Sequence, residues 1–156
     1  MIGRGDIGDA ATVMTLLQGT GRSQGLRSLV SGWDMLQADV PDRERMETAW
    51  SILVGSGIAE VGSGWSLSLT GEGDRVRSAV RGRGGMRTVV AELADRLAQR
   101  DLAMAPLQLP AEAFDRAVQA YRGSDRLAVT GPNASRRLRD GVVLLLASAR
   151  SRWRRE

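Results

Sequence analysis

The sequence predicts a mainly α-helical protein with one small β-hairpin near its middle. Over most of the chain, apolar residues recur at spacings of three and four, which is the period of an amphipathic helix. In residues 65–70 the period changes to two, which indicates a strand with one buried face. With 156 residues, the chain is long enough for one compact domain or for a small domain with a helical extension.

Three helices are predicted before the hairpin. The first ends at Gly19, and a loop over residues 34–40 separates the second from the third. Asp42 is a suitable N-cap for the third helix, because its carboxylate can accept hydrogen bonds from the first-turn amides. Gly55 ends that helix. The apolar positions of the three helices are Ile7, Ala10, Ala11, Met14, Leu17, Leu26, Leu29, Val30, Trp33, Met46, Ala49, Trp50 and Leu53.

The predicted hairpin joins residues 58–61 to residues 65–70 through Gly62, Ser63 and Gly64. Glycine adopts the positive-φ conformations that a tight hairpin turn needs. The alternation predicts that Trp65, Leu67 and Leu69 point into the core. A fourth helix follows, with Val76 and Val80 on its inner face.

The stretch AWSILVGSGIAEVGSGWSLSLTGEGDRV resembles the third helix, wing and exit helix of bacterial winged-helix proteins. In that family, a helix that ends in a Leu-x-x-x-Gly-Ile/Leu-Ile step leads into a wing closed by a Leu-Thr-x-x-Gly turn. The matching positions are Leu53, Gly57, Ile58, Leu69, Thr70 and Gly73. The resemblance covers about half of the chain and implies a mainly α fold with a small β-hairpin wing, a winged helix followed by a C-terminal helical extension.

The predicted organisation is a winged-helix domain at residues 1–83 and a helical extension at residues 84–156, with the boundary near Gly84. Periodic apolar residues predict three helices in the extension. Their inward positions are Met86, Val89, Val90, Leu93, Leu97, Phe114, Ala117, Val118, Tyr121, Leu138, Val142, Leu145, Leu146, Ala149 and Trp153. The apolar stripe of the last helix fits either intrachain packing or a homodimer through the C-terminal helices.

The resemblance implies double-stranded DNA as the partner and a small transcriptional regulator as the function, because the third helix of this fold usually enters the major groove. The outward positions of that helix are predicted to be Arg43, Glu44, Glu47, Thr48 and Ser51, with Arg45 near the edge. The two glutamates would repel the DNA backbone. The predicted DNA contacts are Arg43, Arg45, Thr48, Ser51, Ser63 at the wing tip, Arg75 and Arg77.

Charge is distributed unevenly. Residues 1–80 hold seven arginines and ten acidic residues, whereas residues 81–156 hold fifteen arginines and eight acidic residues. Arginines cluster in residues 75–87 and again in residues 136–155, and both clusters could bind phosphates. Cations at a helix C-terminus are also favoured by the helix dipole alone, which is the alternative interpretation of the last cluster. The acidic first half favours a second function, a winged-helix protein–protein interaction module that does not bind nucleic acid.

Several function classes are disfavoured by composition. The chain has no Cys and no His, so the usual metal ligands, nucleophiles and general bases are missing. We therefore expect no enzymatic activity, no cofactor and no metal. No apolar run is long enough to cross a bilayer and the N-terminus does not resemble a signal peptide, so we expect a cytoplasmic protein without a membrane partner.

Overall fold

The computed structural model describes residues 1–130 and the side chains of residues 1–125. The elements found in this part of the chain are α1 (Arg4–Leu16), β1 (Gln24–Gly25), α2 (Leu26–Gln37), α3 (Arg43–Gly55), β2 (Ala59–Gly62), β3 (Ser66–Leu69), α4 (Gly71–Ser78), α5 (Met86–Ala98) and α6 (Ala111–Thr130). The fold is mainly helical with a small three-stranded antiparallel sheet, which confirms the predicted fold class at that level. The predicted helix around residues 138–153, the arginines of residues 136–155 and the predicted dimer surface lie outside the described residues.

Residues Met1–Tyr121 form one compact unit. Within this unit, α1 packs against α5, α3 and α2. Leu93 and Leu97 of α5 are fully buried. Residues on both sides of the predicted boundary near Gly84 therefore belong to the same compact unit.

The core of this unit contains the apolar faces that the periodicity predicts. On α3, the residues Met46, Ala49, Trp50 and Leu53 are all 0% exposed, which confirms the predicted inward face. Asp42 caps this helix, since its Oδ1 accepts a hydrogen bond from the Arg45 amide at 2.8 Å. The inward side of α3 is thus fixed by core packing and by a local cap.

The connection between α2 and α3 is shorter than predicted. The loop was expected over residues 34–40, but α2 continues to Gln37. Ala38 ends it with a left-handed φ of 59°. The predicted loop was wrong in its first half, because Leu36 is buried and extends the apolar face of α2 by another turn.

The sheet contains one strand that the sequence did not predict. β1, only two residues long, pairs with β3, so the strand order is β1-β3-β2 with Gln24 opposite Leu67. The predicted hairpin partner strands are present as β2 and β3. Trp65, however, lies in the turn with a φ of 56° and is only partly buried, packing against Trp50 with a 6.4 Å centroid separation. The prediction that Trp65 belongs to the alternating strand was wrong.

The junction between β3 and α4 is tightly built around Thr70. Its Oγ1 accepts a hydrogen bond from the Gly73 amide at 3.1 Å, which caps α4. The same hydroxyl lies 2.6 Å from the Gly57 carbonyl oxygen, to which it donates. The Thr70 amide donates to the Ile58 carbonyl at 3.0 Å. These bonds tie the end of α3, the sheet and α4 together.

Candidate nucleic-acid interface

The outward face of α3 is the first predicted contact surface, and it is largely not open to solvent. Arg43, Glu47 and Thr48 are only partly exposed, and Ser51 is 3% exposed. Glu44 is exposed as predicted. The prediction that Ser51 faces outward was therefore wrong, and its contact with DNA stays a prediction.

The cover is an irregular segment that we call the strap, residues 101–110, which connects α5 to α6. Its backbone bonds directly to α3. The Ala105 amide donates to the Ser51 carbonyl at 2.9 Å, and the Leu109 amide donates to Glu47 Oε2 at 2.6 Å. In the reverse direction, the Arg43 guanidinium donates to the Leu109 carbonyl at 3.1 Å.

At the C-terminal end of α3, the strap comes closer still. A Cβ placed on Gly55 would lie 2.4 Å from both the Ala103 oxygen and the Ala105 nitrogen. Ser56 Oγ donates to the Ala103 carbonyl at 3.3 Å and accepts from the Ala103 amide at 3.1 Å. The absence of a side chain at Gly55 therefore allows the two backbones to touch.

Arg45, the second predicted DNA contact on α3, is engaged inside the protein. Its Nε and Nη2 donate to the two carboxylate oxygens of Asp9 at 2.9 and 2.8 Å, and its Nη1 donates to Asp39 at 3.1 Å. Its guanidinium carbon lies 5.2 Å from the centre of the Trp33 ring, where the π face attracts a cation. The hydrogen bonds that Arg45 donates to Asp9 are the main reason that the pKa of Arg45 lies above its ordinary value, and the other carboxylate interactions raise it further.

We expect the replacement Arg45→Ala to lower the free energy of unfolding by about 1–2 kcal/mol, since it leaves Asp9 without its partner. The side chain is 39% exposed, so solvent screening keeps the loss below that of a buried pair. Urea denaturation measures the change, and Arg45→Lys should fall between Arg45→Ala and wild type because it retains charge but not the two-pronged geometry. Arg81→Ala, at an exposed position, serves as control. Equal stability of all four proteins would contradict this structural role.

The hairpin of β2 and β3 offers little positive charge. Ser63 lies exposed in the turn between β2 and β3, and its carbonyl accepts a hydrogen bond from Ser66 Oγ at 3.1 Å. Residues 59–69 contain no arginine or lysine and one carboxylate, Glu60. Ser63 lies at the tip of the hairpin, as predicted. The strands on either side of it supply no cation that could bind a phosphate.

Basic charge is concentrated instead along α4, the following loop and the start of α5. We call this the arginine patch. It comprises Arg75, Arg77, Arg81, Arg83 and Arg87, and residues 75–87 contain no acidic residue. Arg75 and Arg77 were predicted as individual DNA contacts, and all five belong to the arginine cluster that was predicted to be able to bind phosphates.

The arginines of the patch differ in solvent exposure and in ion pairing. Arg75 has a side chain 79% exposed and pairs with Glu72 at 3.0 Å. Arg77 is partly buried, and its Nε has no partner among the described residues. Arg81, Arg83 and Arg87 are exposed and make no ion pair within residues 1–125.

Among the described residues, Glu72 is the carboxylate that forms an ion pair with the patch, through Arg75. It also accepts a hydrogen bond from Arg100, and this bond is the main reason that the pKa of Glu72 lies below its usual range. Since Glu72 is already shared between Arg75 and Arg100, it does not neutralise the three exposed arginines of the loop and of α5. The patch therefore keeps an excess of positive charge.

The same part of the chain shows neither a metal site nor a membrane span. Among the described residues, no three Asp or Glu side chains come together in a way that could hold a metal ion. No helix within residues 1–130 combines the length and apolar character needed to cross a membrane.

Comparison with protein-family models, with curated proteins and with solved structures found no match to this chain. The case for the candidate interface therefore rests on the geometry and charge of its residues.

Proposed function

We propose that this protein is a winged-helix protein that binds double-stranded DNA, with the arginine patch as its main phosphate-binding surface. The order of three helices, an antiparallel hairpin and an exit helix agrees with the resemblance of the sequence to winged-helix proteins. The observation that carries the DNA proposal is the exposure of Arg81, Arg83 and Arg87 without a carboxylate partner among the described residues.

Physical chemistry links these arginines to phosphate. A guanidinium presents several N–H donors in a plane and stays charged at any physiological pH, so it matches phosphate oxygens well. Each phosphate that is neutralised releases condensed counterions, which makes the affinity fall as salt rises. A local excess of positive charge also attracts the duplex before contact is made.

The proposal moves the main contact away from α3. Arg45 is held by Asp9 and Asp39, and the strap covers Ser51 and the end of the helix. In this form of the protein, α3 cannot lie in a groove along its full length. Contacts from the patch alone would be to phosphates, and binding would be largely independent of base sequence.

The test measures, by fluorescence anisotropy, the binding of a short random-sequence duplex at low and at physiological salt. For the triple variant Arg81→Gln, Arg83→Gln, Arg87→Gln, we expect weaker binding at low salt. We also expect a smaller salt slope, by about 0.9 for each lost phosphate contact. A matched triple variant at the exposed positions Arg4, Arg22 and Arg116 has the same net charge. If both triple variants lose affinity equally, net charge rather than the patch governs binding and the assignment of the patch fails.

A second candidate function is the protein-interaction module. It is favoured by the internal engagement of Arg43 and Arg45 and by the excess of acidic residues in the first half of the chain. Absence of any binding to duplex DNA by the wild-type protein at low salt would leave this candidate as the better account.

A further inference from the structure

We propose that the strap is an inhibitory cover, which keeps the outward face of α3 away from duplex DNA until the strap is displaced. The inference rests on the proposed DNA-binding function and adds its regulation. In the covered form the protein binds through the arginine patch alone. In the open form, α3 adds contacts of its own.

The contacts between the strap and α3 are those of a segment that lies on a finished surface. They are formed mainly by backbone atoms of Ala103, Ala105 and Leu109 against Ser51, Glu47 and Ser56. Leu109 of the strap is buried at 1% exposure, Leu102 and Leu107 are partly buried against the core, and Met104 is 50% exposed. With one fully buried side chain as its anchor, the strap is expected to open at a lower free energy than global unfolding.

α3 itself does not depend on the strap for its structure. Its inward face is anchored by Met46, Trp50 and Leu53, which are 0% exposed, and Asp42 caps its first turn. The strap contacts a different side of the helix, along Glu47, Ser51 and Gly55. Displacement of the strap therefore exposes a helix that is already formed, which is the requirement for a switch between two states of one surface.

Displacement changes what α3 presents. Arg43 loses the Leu109 carbonyl as a hydrogen-bond acceptor and keeps Glu47, one helical turn away, as its partner at 3.0 Å. The Ser51 carbonyl, at the centre of the helix, loses the hydrogen bond from the Ala105 amide. Arg43 and Thr48 are side chains of the types that contact phosphates and base edges.

Gly55 provides a way to open the strap without a change in charge. In Gly55→Ala, the new Cβ meets strap backbone atoms at 2.4 Å, and the strap must move since neither backbone is a flexible side-chain end. Alanine also favours the helix more than glycine does. The matched control is Gly8→Ala on α1, where an added Cβ meets nothing within 4 Å. A second opening variant, Ala105→Pro, removes the amide that donates to Ser51.

Two measurements on the full chain test the inference. Amide hydrogen exchange should become faster in residues 103–109 of both opening variants while residues of α3 stay protected. The affinity for a random duplex should then rise about tenfold over wild type and Gly8→Ala, which is what one charge-assisted contact contributes. In the Gly55→Ala background, Arg43→Ala should abolish that gain.

The outcomes separate the two proposals. If the strap exchanges faster in either opening variant and the affinity remains that of wild type, the strap does not inhibit binding and the inference is overturned. The same holds if the gain survives the loss of Arg43, since α3 would not be the added surface. If neither wild type nor the opening variants bind DNA at low salt, the proposed function itself is wrong and the inhibitory role falls with it.

Discussion

Replacement of Trp50 by alanine is expected to lower the free energy of unfolding by about 3 kcal/mol. Trp50 lies at the centre of α3, is 0% exposed and packs against Trp65. Loss of a buried tryptophan removes its transfer free energy and leaves a cavity, with costs of about 3–5 kcal/mol. We expect the lower end of this range because the Trp50 indole N–H is buried without a partner among the described residues. The substitution therefore also removes the desolvation penalty of that N–H group.

Urea denaturation followed by far-ultraviolet circular dichroism measures this loss. The control is Met35→Ala on α2, because Met35 is 72% exposed and its truncation should change the free energy of unfolding by less than about 0.5 kcal/mol. If Trp50→Ala and Met35→Ala were equally stable, α3 would not be held to the core by this face. The steric basis of the candidate interface would then be lost as well.

The second large effect is expected at the junction between the sheet and α4. In Gly73→Ala, the added Cβ would lie 2.0 Å from the carbonyl oxygen of Ile58. That oxygen also accepts from the Thr70 amide, so it cannot move away without the loss of a hydrogen bond. Crowding of this kind costs about 1–3 kcal/mol, and we expect the upper end of that range or more, since the atom met is backbone.

Gly71→Ala, two residues earlier in the same helix, is the matched control. An added Cβ at Gly71 meets nothing within 4 Å, so this variant should be as stable as wild type or slightly more stable. Thermal denaturation of the two variants compares them directly. A Gly73→Ala protein that melts at the temperature of Gly71→Ala would show that α4 can shift relative to the hairpin without cost.

Much of the fold could be predicted because local periodicity reports burial. The inward residues of α3 and the helix cap at Asp42 followed from spacing and from the chemistry of one carboxylate, both of which act within a few residues. The same reasoning failed at Trp65. Trp65 alternates with Leu67 and Leu69 in the sequence, but it has a positive φ and lies in the turn. Alternation of residue types does not report the backbone conformation at the first residue of the pattern.

The candidate site was harder to predict because its decisive contacts join distant residues. Arg45 was predicted as a DNA contact near the edge of the outward face, yet its guanidinium donates to Asp9, which lies 36 residues away in the chain. Arg43 reaches the carbonyl of Leu109, which is 66 residues away. Helical spacing predicts the neighbours of a residue on its own helix. It does not predict contacts with residues elsewhere in the chain, such as Asp9 and Leu109.

The sequence by itself determined which faces of the helices are apolar, where α3 begins, and that arginine is concentrated in residues 75–87, because each of these is a local property of residue type and order. Only the tertiary structure decided that the strap covers Ser51 and the C-terminal end of α3. The strap has no helical periodicity, and its hydrogen bonds to α3 use main-chain amides and carbonyls that every sequence possesses. Its position depends on the close approach that Gly55 permits, and that approach exists only once the helices have packed.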